Sequence, residues 1–335
     1  MERRFKTRIT KMLGIRHPIL IGGMMWLGRA ELVAAVVRAG ATGFISALTF
    51  AERSALRDEI NKCRELAESD RFGVNLYISN RPEAAERLLP LLDVVCELEV
   101  PFVETSGAKP SLLLPQLKQE GIKVIHKVPA VRYGLSAEKA GVDAIILVGA
   151  ECGGHPGHMM IGTMIQGGLG PTSLSVPVIL GGGIGRGSQL AAALAMGCEG
   201  VLMGTRLMVA EEAVPHRDFK ARVVESDGTD SVVVQTTFRN HHRVLRNETT
   251  DEILALEAQG VDEIEPYLPL ISGEISWQAL QSGDFRRGTI DFGQAACFAD
   301  QVEPAAQIIA RIVTDAEQSV AALESRLSLL QEDRP

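Results

Sequence analysis

The feature that most constrains the fold is a series of eight short apolar segments, rich in Val, Ile and Leu, in the first two thirds of the chain. They recur about every 20 to 35 residues, a spacing typical of repeated strand–helix units. Near-continuous apolar strands are typical of parallel strands covered on both faces. Eight such units predict an α/β fold, a (β/α)8 TIM barrel; the alternative, a doubly wound open sheet, usually has about five or six strands. The predicted strands begin at His17, Thr42, Phe72, Val100, Lys123, Asp143, Pro177 and Gly200.

Helical patterns fill the gaps between these segments and continue beyond them. Leu32, Ala35 and Val36 follow helical spacing, and Gly40 ends that helix. After the barrel of residues 1–206 the pattern changes, and 207–287 is interpreted as a small, mostly helical domain inserted after strand eight as a lid. The last segment, 288–335, ends in a long amphipathic helix that we expect to pack back on the barrel.

Composition excludes two classes of partner. The net charge is −8, and no basic run is present that would neutralise the phosphates of a nucleic acid. No apolar stretch reaches the roughly 18 residues needed to span a membrane. The five cysteines form no CxxC pair, so neither a disulfide framework nor a metal site is expected, and a cytoplasmic protein is predicted.

The ends of the predicted strands are rich in glycine, and in a (β/α)8 barrel the active site lies at these carboxyl ends. Gly182 and Gly183 follow strand seven, and Gly204 and Thr205 follow strand eight. Glycines there let backbone N–H groups approach an anion, and helix N-termini add partial positive charge. The two clusters together predict a phosphate site, although either cluster alone fits a tight turn. The sequence contains no GxGxxG motif followed by an acidic residue about 20 positions later, so it does not indicate a Rossmann site.

Two side chains at strand ends are candidate catalytic residues. Lys127 closes an apolar strand, where it either stabilises negative charge on a bound cofactor or pairs with a strand-end carboxylate such as Glu104. His155, in a glycine-rich loop after strand six, would act as a base, a proton donor or a partner of an anionic substrate. The neighbouring Cys152 lacks an activating partner, so a nucleophile is not expected there. The histidine pair at 241–242 is interpreted as solvated.

Taken in order, these motifs resemble those of the flavin-dependent nitronate monooxygenase (2-nitropropane dioxygenase) family, most closely its branch of bacterial NAD(P)H:quinone reductases. Enoyl-acyl-carrier-protein reductase II is a further relative. The resemblance extends over nearly the whole chain. It rests on residues 17–19, 22–24, 72–75, 103–107, 124–127, 152–157, 182–183 and 203–206.

This resemblance implies FMN as the cofactor and assigns its contacts. The isoalloxazine and ribityl chain would be lined by Gly22, Gly23, Met24 and Asn75. Lys127 would contact the edge of the ring. Gly153 and Gly154 would pass close to the ring, with His155 facing the substrate. The phosphate would be held by Gly182, Gly183, Gly204 and Thr205.

Three positions depart from the family pattern towards apolar side chains, and they predict a drier pocket. Ile21 stands where Gln is frequent, Met25 where the quinone reductases have a polar residue, and Val148 where they have Asp. FMN binding tolerates these changes, whereas the substrate class does not follow from them.

The resemblance implies an enzyme, a soluble FMN-dependent oxidoreductase acting on a small-molecule substrate. Electrons would come from a nitronate or from NAD(P)H, a candidate co-substrate, and pass to O2 or a quinone. One alternative is a reductase of an enoyl thioester or another biosynthetic intermediate. Others are a non-redox barrel enzyme acting on a phosphorylated metabolite and an accessory flavin-binding module. The sequence leaves open whether the protein forms a homodimer.

Overall fold

The computed structural model describes residues 5–79 and 82–332. Its centre is a closed barrel of eight parallel strands in sequence order, with the eighth paired to the first. The prediction of a (β/α)8 barrel is therefore confirmed. The barrel strands are β1 (Ile19–Ile21), β2 (Thr42–Ser46), β3 (Gly73–Ile78), β4 (Phe102–Gly107), β5 (Lys123–Val128), β6 (Ala144–Val148), β7 (Val178–Gly181) and β8 (Gly200–Met203).

Helices surround the barrel, and an antiparallel hairpin follows it. The hairpin consists of β9 (Ser231–Val234) and β10 (His242–Leu245). None of the helices within 5–79 and 82–332 combines the length and the apolar content needed to cross a bilayer. The helices are α1 (Arg8–Leu13), α2 (Ala30–Arg38), α3 (Arg53–Ala67), α4 (Pro82–Glu97), α5 (Leu114–Gln119), α6 (Val131–Ala140), α7 (Thr163–Ser173), α8 (Gly187–Ala195), α9 (Arg217–Val224), α10 (Glu248–Ala258), α11 (Gly273–Ser282) and α12 (Ala305–Glu332).

The barrel interior is a packed core rather than a channel. Successive side chains of a strand alternate between the interior and the helix layer, and the interior set is apolar: Leu20, Phe44, Phe102, Ile125, Ile146, Ile179 and Leu202. Ile9 and Leu13 of α1 belong to the same buried cluster. The backbone N–H of Arg8 donates to the Glu199 carboxylate at 2.7 Å, just before β8. Helix α1 therefore closes the amino-terminal end of the barrel, and the opposite end stays free for a site.

The last helix packs against the outside of the barrel. Ile308, Ile309 and Ile312 of α12 are buried. At the crossing with α8, a Cβ on Gly187 would lie 2.0 Å from the carbonyl oxygen of Ile312. Only glycine permits this backbone approach.

The segment after β8 has a small core of its own and packs against the loop that follows β6. Val234, Val244, Ile253 and Tyr267 form this core. Backbone bridges join the hairpin to the loop after β6, through Gly154 and Arg243, and to the chain around Asp291. These bridges place β10 beside the site predicted at the strand ends.

A glycine inside the barrel makes room for an aromatic pair, and this generates a test of the packing. Phe44 and Phe102 meet edge to face with ring centroids 5.9 Å apart. A Cβ on Gly73 would lie 2.6 Å from the first ring and 2.7 Å from the second. We expect Gly73→Ala to lower the free energy of unfolding by about 1–3 kcal/mol, because overpacking forces buried groups apart.

Urea denaturation measures this effect, and Gly168→Ala is the matched control. Gly168 lies in α7 with nothing within 4 Å of an added Cβ, so alanine there should preserve or raise stability through helix propensity. An unchanged urea midpoint for Gly73→Ala would show that the two rings can move apart without a loss of stability.

Candidate functional site

A buried ion pair lies at the carboxyl ends of β4 and β5. The side chain of Glu104 is fully buried and forms an ion pair with the ammonium of Lys127, which is 22% exposed. The other carboxylate oxygen of Glu104 accepts a hydrogen bond from the backbone N–H of Gly23 at 2.8 Å. Of the two interpretations of Lys127, the structure therefore shows the ion pair with Glu104. Contact with a flavin ring stays a prediction.

The glycines after β1 are required by close packing. A Cβ on Gly23 would lie 2.2 Å from Cβ of Asn75, and one on Gly22 would lie 3.1 Å from Leu202. The buried Asn75 amide lies 3.5 Å from both the Glu104 carbonyl oxygen and the Ser106 hydroxyl. The backbone after β1 thus runs directly over the side chains of β3, which the sequence did not indicate.

The ends of β7 and β8 supply a group of backbone donors. Gly182 and Gly183 have φ of +101° and +67°, which favour glycine. The backbone hydrogen bonds among the described residues include none donated by the N–H groups of Gly182, Gly183, Gly204 and Thr205, called here the phosphate cluster. The two strand ends are neighbours in the barrel. Unpaired N–H donors of this kind fit a monophosphate such as that of FMN.

Side chains around the phosphate cluster hold its backbone in place. Oγ1 of Thr163 lies 2.8 Å from the Gly182 carbonyl oxygen, and the Thr163 N–H donates to the Glu151 carboxylate at 2.9 Å. Oγ1 of Thr205 accepts from the N–H of Gly293 at 3.0 Å. Met24 reaches the same place, since a Cβ on Gly204 would lie 3.7 Å from its sulfur. The structure therefore brings the first and last strand ends together.

Gly153 and Gly154 dock the segment that follows the barrel. A Cβ on Gly153 would lie 2.7 Å from the backbone nitrogen of Gly293. Gly154, with φ of +82°, exchanges two backbone hydrogen bonds with Arg243, at 2.7 and 3.0 Å. Their close approach to a flavin stays a prediction.

His155 is exposed into the cleft and stacks on His242. The ring centroids are 4.4 Å apart and the planes differ by 9°. Nε2 of His242 lies 2.6 Å from the Asp291 carboxylate. The interpretation of His242 as solvated is wrong: its side chain is buried because β10 packs over the loop after β6.

The surroundings of the cleft and the nearby charges shift the pKa values of this group. Removal of water from the imidazolium, followed by the nearby His242, lowers the pKa of His155 to about 4, so the ring is neutral at pH 7. Burial raises the pKa of the Cys152 thiol to about 12, which leaves it protonated and a poor nucleophile. No group of three or more His, Cys, Asp or Glu side chains that could hold a metal occurs in the described parts of the chain.

Sequence reasoning missed three residues of the site, Arg243, Asp291 and Gly293. The guanidinium of Arg243 is buried and donates to the Ala150 carbonyl at 3.0 Å and to the Ser231 hydroxyl at 3.1 Å. The available signal was the run at 290–293, in which an aspartate lies between two apolar residues and a glycine follows.

The prediction of a drier pocket is wrong in part. Ile21 is buried in the layer between strands and helices, where a Cβ on Gly43 would lie 3.5 Å from it. Met25 is 44% exposed. Val148 alone of the three faces the apolar interior of the barrel.

The phosphate cluster generates a test of cofactor binding. An added side chain at Gly204 meets no protein atom nearer than the 3.7 Å to Met24, so the space above it is open to a ligand. We expect Gly204→Val to lower FMN affinity at least tenfold, because the side chain would occupy the place of the phosphate.

FMN titration measures this affinity, and Gly168→Ala should bind FMN as the unaltered protein does. The melting temperature of the FMN-free variant controls for misfolding. Unchanged affinity in a folded Gly204→Val variant would show that no phosphate lies there.

Comparison with known proteins gives three informative relatives. FabK from Thermotoga maritima is 33% identical and superposes with a TM-score of 0.86, covering 96% of this chain and 99% of that one. A second relative is the (3aS,4S,5R,7aS)-5-hydroxy-7a-methyl-1-oxo-octahydro-1H-indene-4-carboxyl-CoA dehydrogenase of Rhodococcus jostii. It is 30% identical over 76% of this chain and 69% of its own. A probable nitronate monooxygenase of Staphylococcus aureus is 28% identical over 93% of this chain and 98% of its own.

None of these three is described as a quinone reductase, so the likeness to that branch stays a prediction. The broader resemblance is confirmed, because the model of the nitronate monooxygenase family matches residues 6–315. That range includes every strand of the barrel, the phosphate cluster, His155 and the segment that carries His242 and Asp291. The chain belongs to the nitronate monooxygenase family.

Proposed function

We propose that this protein is an FMN-dependent oxidoreductase that acts on the acyl group of a thioester, with NAD(P)H as its second substrate. Membership of the nitronate monooxygenase family supports an oxidoreductase that binds FMN. The choice of substrate class rests on one observation, the distribution of charge around His155.

Two cations beside the loop after β6, Lys127 and Arg243, are already engaged. Lys127 is paired with Glu104, and the buried Arg243 donates to a carbonyl and a hydroxyl group. The Asp291 carboxylate is 56% exposed and lies beside the neutral His155. A nitronate would bring a second negative charge beside Asp291, and neither Lys127 nor Arg243 is free to offset its desolvation. A neutral thioester meets no such cost.

One of the relatives supports the same substrate class. The Rhodococcus jostii protein is described as acting on a carboxyl-CoA compound, which is a thioester. The names of the relatives do not distinguish NADH from NADPH, and both are candidates as the second substrate.

Each residue of the site has a role in this proposal. FMN, when bound, supplies hydride transfer. The neutral His155 donates a hydrogen bond to the thioester carbonyl as negative charge develops on its oxygen, a task for which an uncharged imidazole suffices. The phosphate cluster anchors the cofactor, and the pair of Lys127 and Glu104 fixes the strand ends beside it. Val148 and the protonated Cys152 keep water from the reacting atoms.

Anaerobic half-reactions of the FMN-loaded protein test the proposal. We expect NADH or NADPH to bleach the flavin absorbance near about 450 nm, and crotonyl-CoA to restore it. Propyl-2-nitronate, added alone, should leave the absorbance unchanged. Each donor is added separately, with the FMN-bound Gly168→Ala variant as the protein control.

Three results would contradict the proposal. Rapid bleaching by the nitronate, without reoxidation by crotonyl-CoA after NAD(P)H, would assign nitronate oxidation. Reoxidation by a quinone but not by the thioester would assign the quinone reductase branch. A colourless protein that takes up no FMN would point to the non-redox alternative.

The role of His155 gives a second prediction. His155→Gln should retain FMN and slow reoxidation by the thioester about 10²-fold, a typical contribution of a positioned polar group. Since the pKa lies at about 4, the ring keeps one protonation state above about pH 5; the rate in the unaltered protein should be constant there and change as the pH drops through 4. Stopped-flow reoxidation across pH measures both effects, and unaltered rates in His155→Gln would remove His155 from the mechanism.

A further inference from the structure

A directed chain of hydrogen bonds runs through the hairpin to the site. The Asn240 amide donates to Oε1 of Gln235 at 3.0 Å. This contact turns the amide nitrogen of Gln235 towards Nδ1 of His242, at 3.3 Å. Because Nδ1 then accepts, the ring proton of His242 lies on Nε2 and is donated to Asp291 at 2.6 Å. The chain holds His242 as one neutral tautomer in one orientation.

An unfavourable backbone conformation at Gln235 supports the same arrangement. Gln235 is buried and has φ of +61°, a left-handed conformation that is unfavourable for a residue with a side chain. Such conformations persist where the surrounding structure requires them, commonly at functional sites. Here the conformation ends β9 and aims the amide of Gln235 at His242.

The ring of His155 depends on this arrangement. Within the described residues its ring contact is the stack on His242, and no hydrogen bond holds its two nitrogens. The carboxylate that acts on the protonation of His155 is Asp291, from the segment after the insertion. Lys127 of β5 acts in turn on Asp291, and Arg243 of β10 donates to the Ala150 carbonyl in the same loop. Two stacked imidazolium rings would repel, whereas two neutral rings stack favourably.

We infer that His242 and Asp291 are positioning residues for His155, so that the chain after the barrel, rather than the barrel itself, sets the orientation and the proton affinity of that ring. The inference deepens the proposed function, since it rests on the role assigned to His155 there. It differs in being testable without any substrate.

The sign of each effect follows from the charges. His242→Phe keeps a flat ring for the stack but frees the Asp291 carboxylate to face His155. The pKa of His155 should then rise from about 4 towards its ordinary value of about 6.5. Asp291→Asn removes the negative charge that favours the imidazolium, so the pKa of His155 should fall below its value in the unaltered protein. In the double variant, the rise caused by His242→Phe should be reversed.

NMR titration of the His155 ring in the FMN-loaded protein measures these values. The His155 resonance is assigned by its loss in His155→Gln. His158→Gln, in the same loop and outside the hydrogen-bond chain, is the matched control and should leave the midpoint unchanged. The acid limb of the pH–rate profile should move in parallel with each midpoint.

Three results would overturn the inference. One is a His155 midpoint near 6.5 in the unaltered protein, another is an unchanged midpoint in His242→Phe, and the third is a rise that the added Asp291→Asn does not reverse. If His242→Phe does not fold, Asp291→Asn decides alone, because its carboxylate is 56% exposed and its loss is mild for the fold; an unchanged or raised midpoint then refutes the inference. Failure of crotonyl-CoA to react would leave this titration intact, so the two proposals fail separately.

Discussion

Closure of the barrel by the pairing of β1 with β8 is the constraint on which the site depends. The register sets Ile19 beside Val201 and Ile21 beside Met203, so the residues that follow both strands emerge at the same point. Met24 and Gly204 become neighbours although 180 positions separate them in the sequence. An open sheet would leave β1 and β8 apart, and the loop after β1 would not lie beside the backbone N–H groups that follow β7 and β8. Helix α1 completes this arrangement by closing the other end.

The chain after the barrel contributes as much to the site as the barrel does. Arg243 ties the hairpin to the loop after β6 through backbone and side-chain hydrogen bonds. Gly293 contacts both Gly153 and Thr205, which belong to loops after different strands. The chain after the barrel is therefore bound to the strand-end loops at several points. Asp291 enters the cleft because this docking places it there.

Charge is balanced locally at each point of the cleft. Glu104 and Lys127 neutralise each other, and Glu104 also fixes Gly23. The Glu151 carboxylate is bound at the N-terminus of α7, where N–H groups and the helix dipole stabilise it. Buried charges require such partners because desolvation is costly.

The amino-acid sequence by itself determined the barrel, the positions of its strands and the candidate residues at their ends. Apolar periodicity and glycine placement are local properties, and the eight strands, Lys127, Gly182 and Gly204 could be identified from them. Only the tertiary structure decided that Lys127 pairs with Glu104, that Ile21 faces the helices and that His242 is buried against His155. These outcomes depend on which distant segments pack together: His155 and His242 lie 87 positions apart, and no local pattern encodes the docking that brings them into contact.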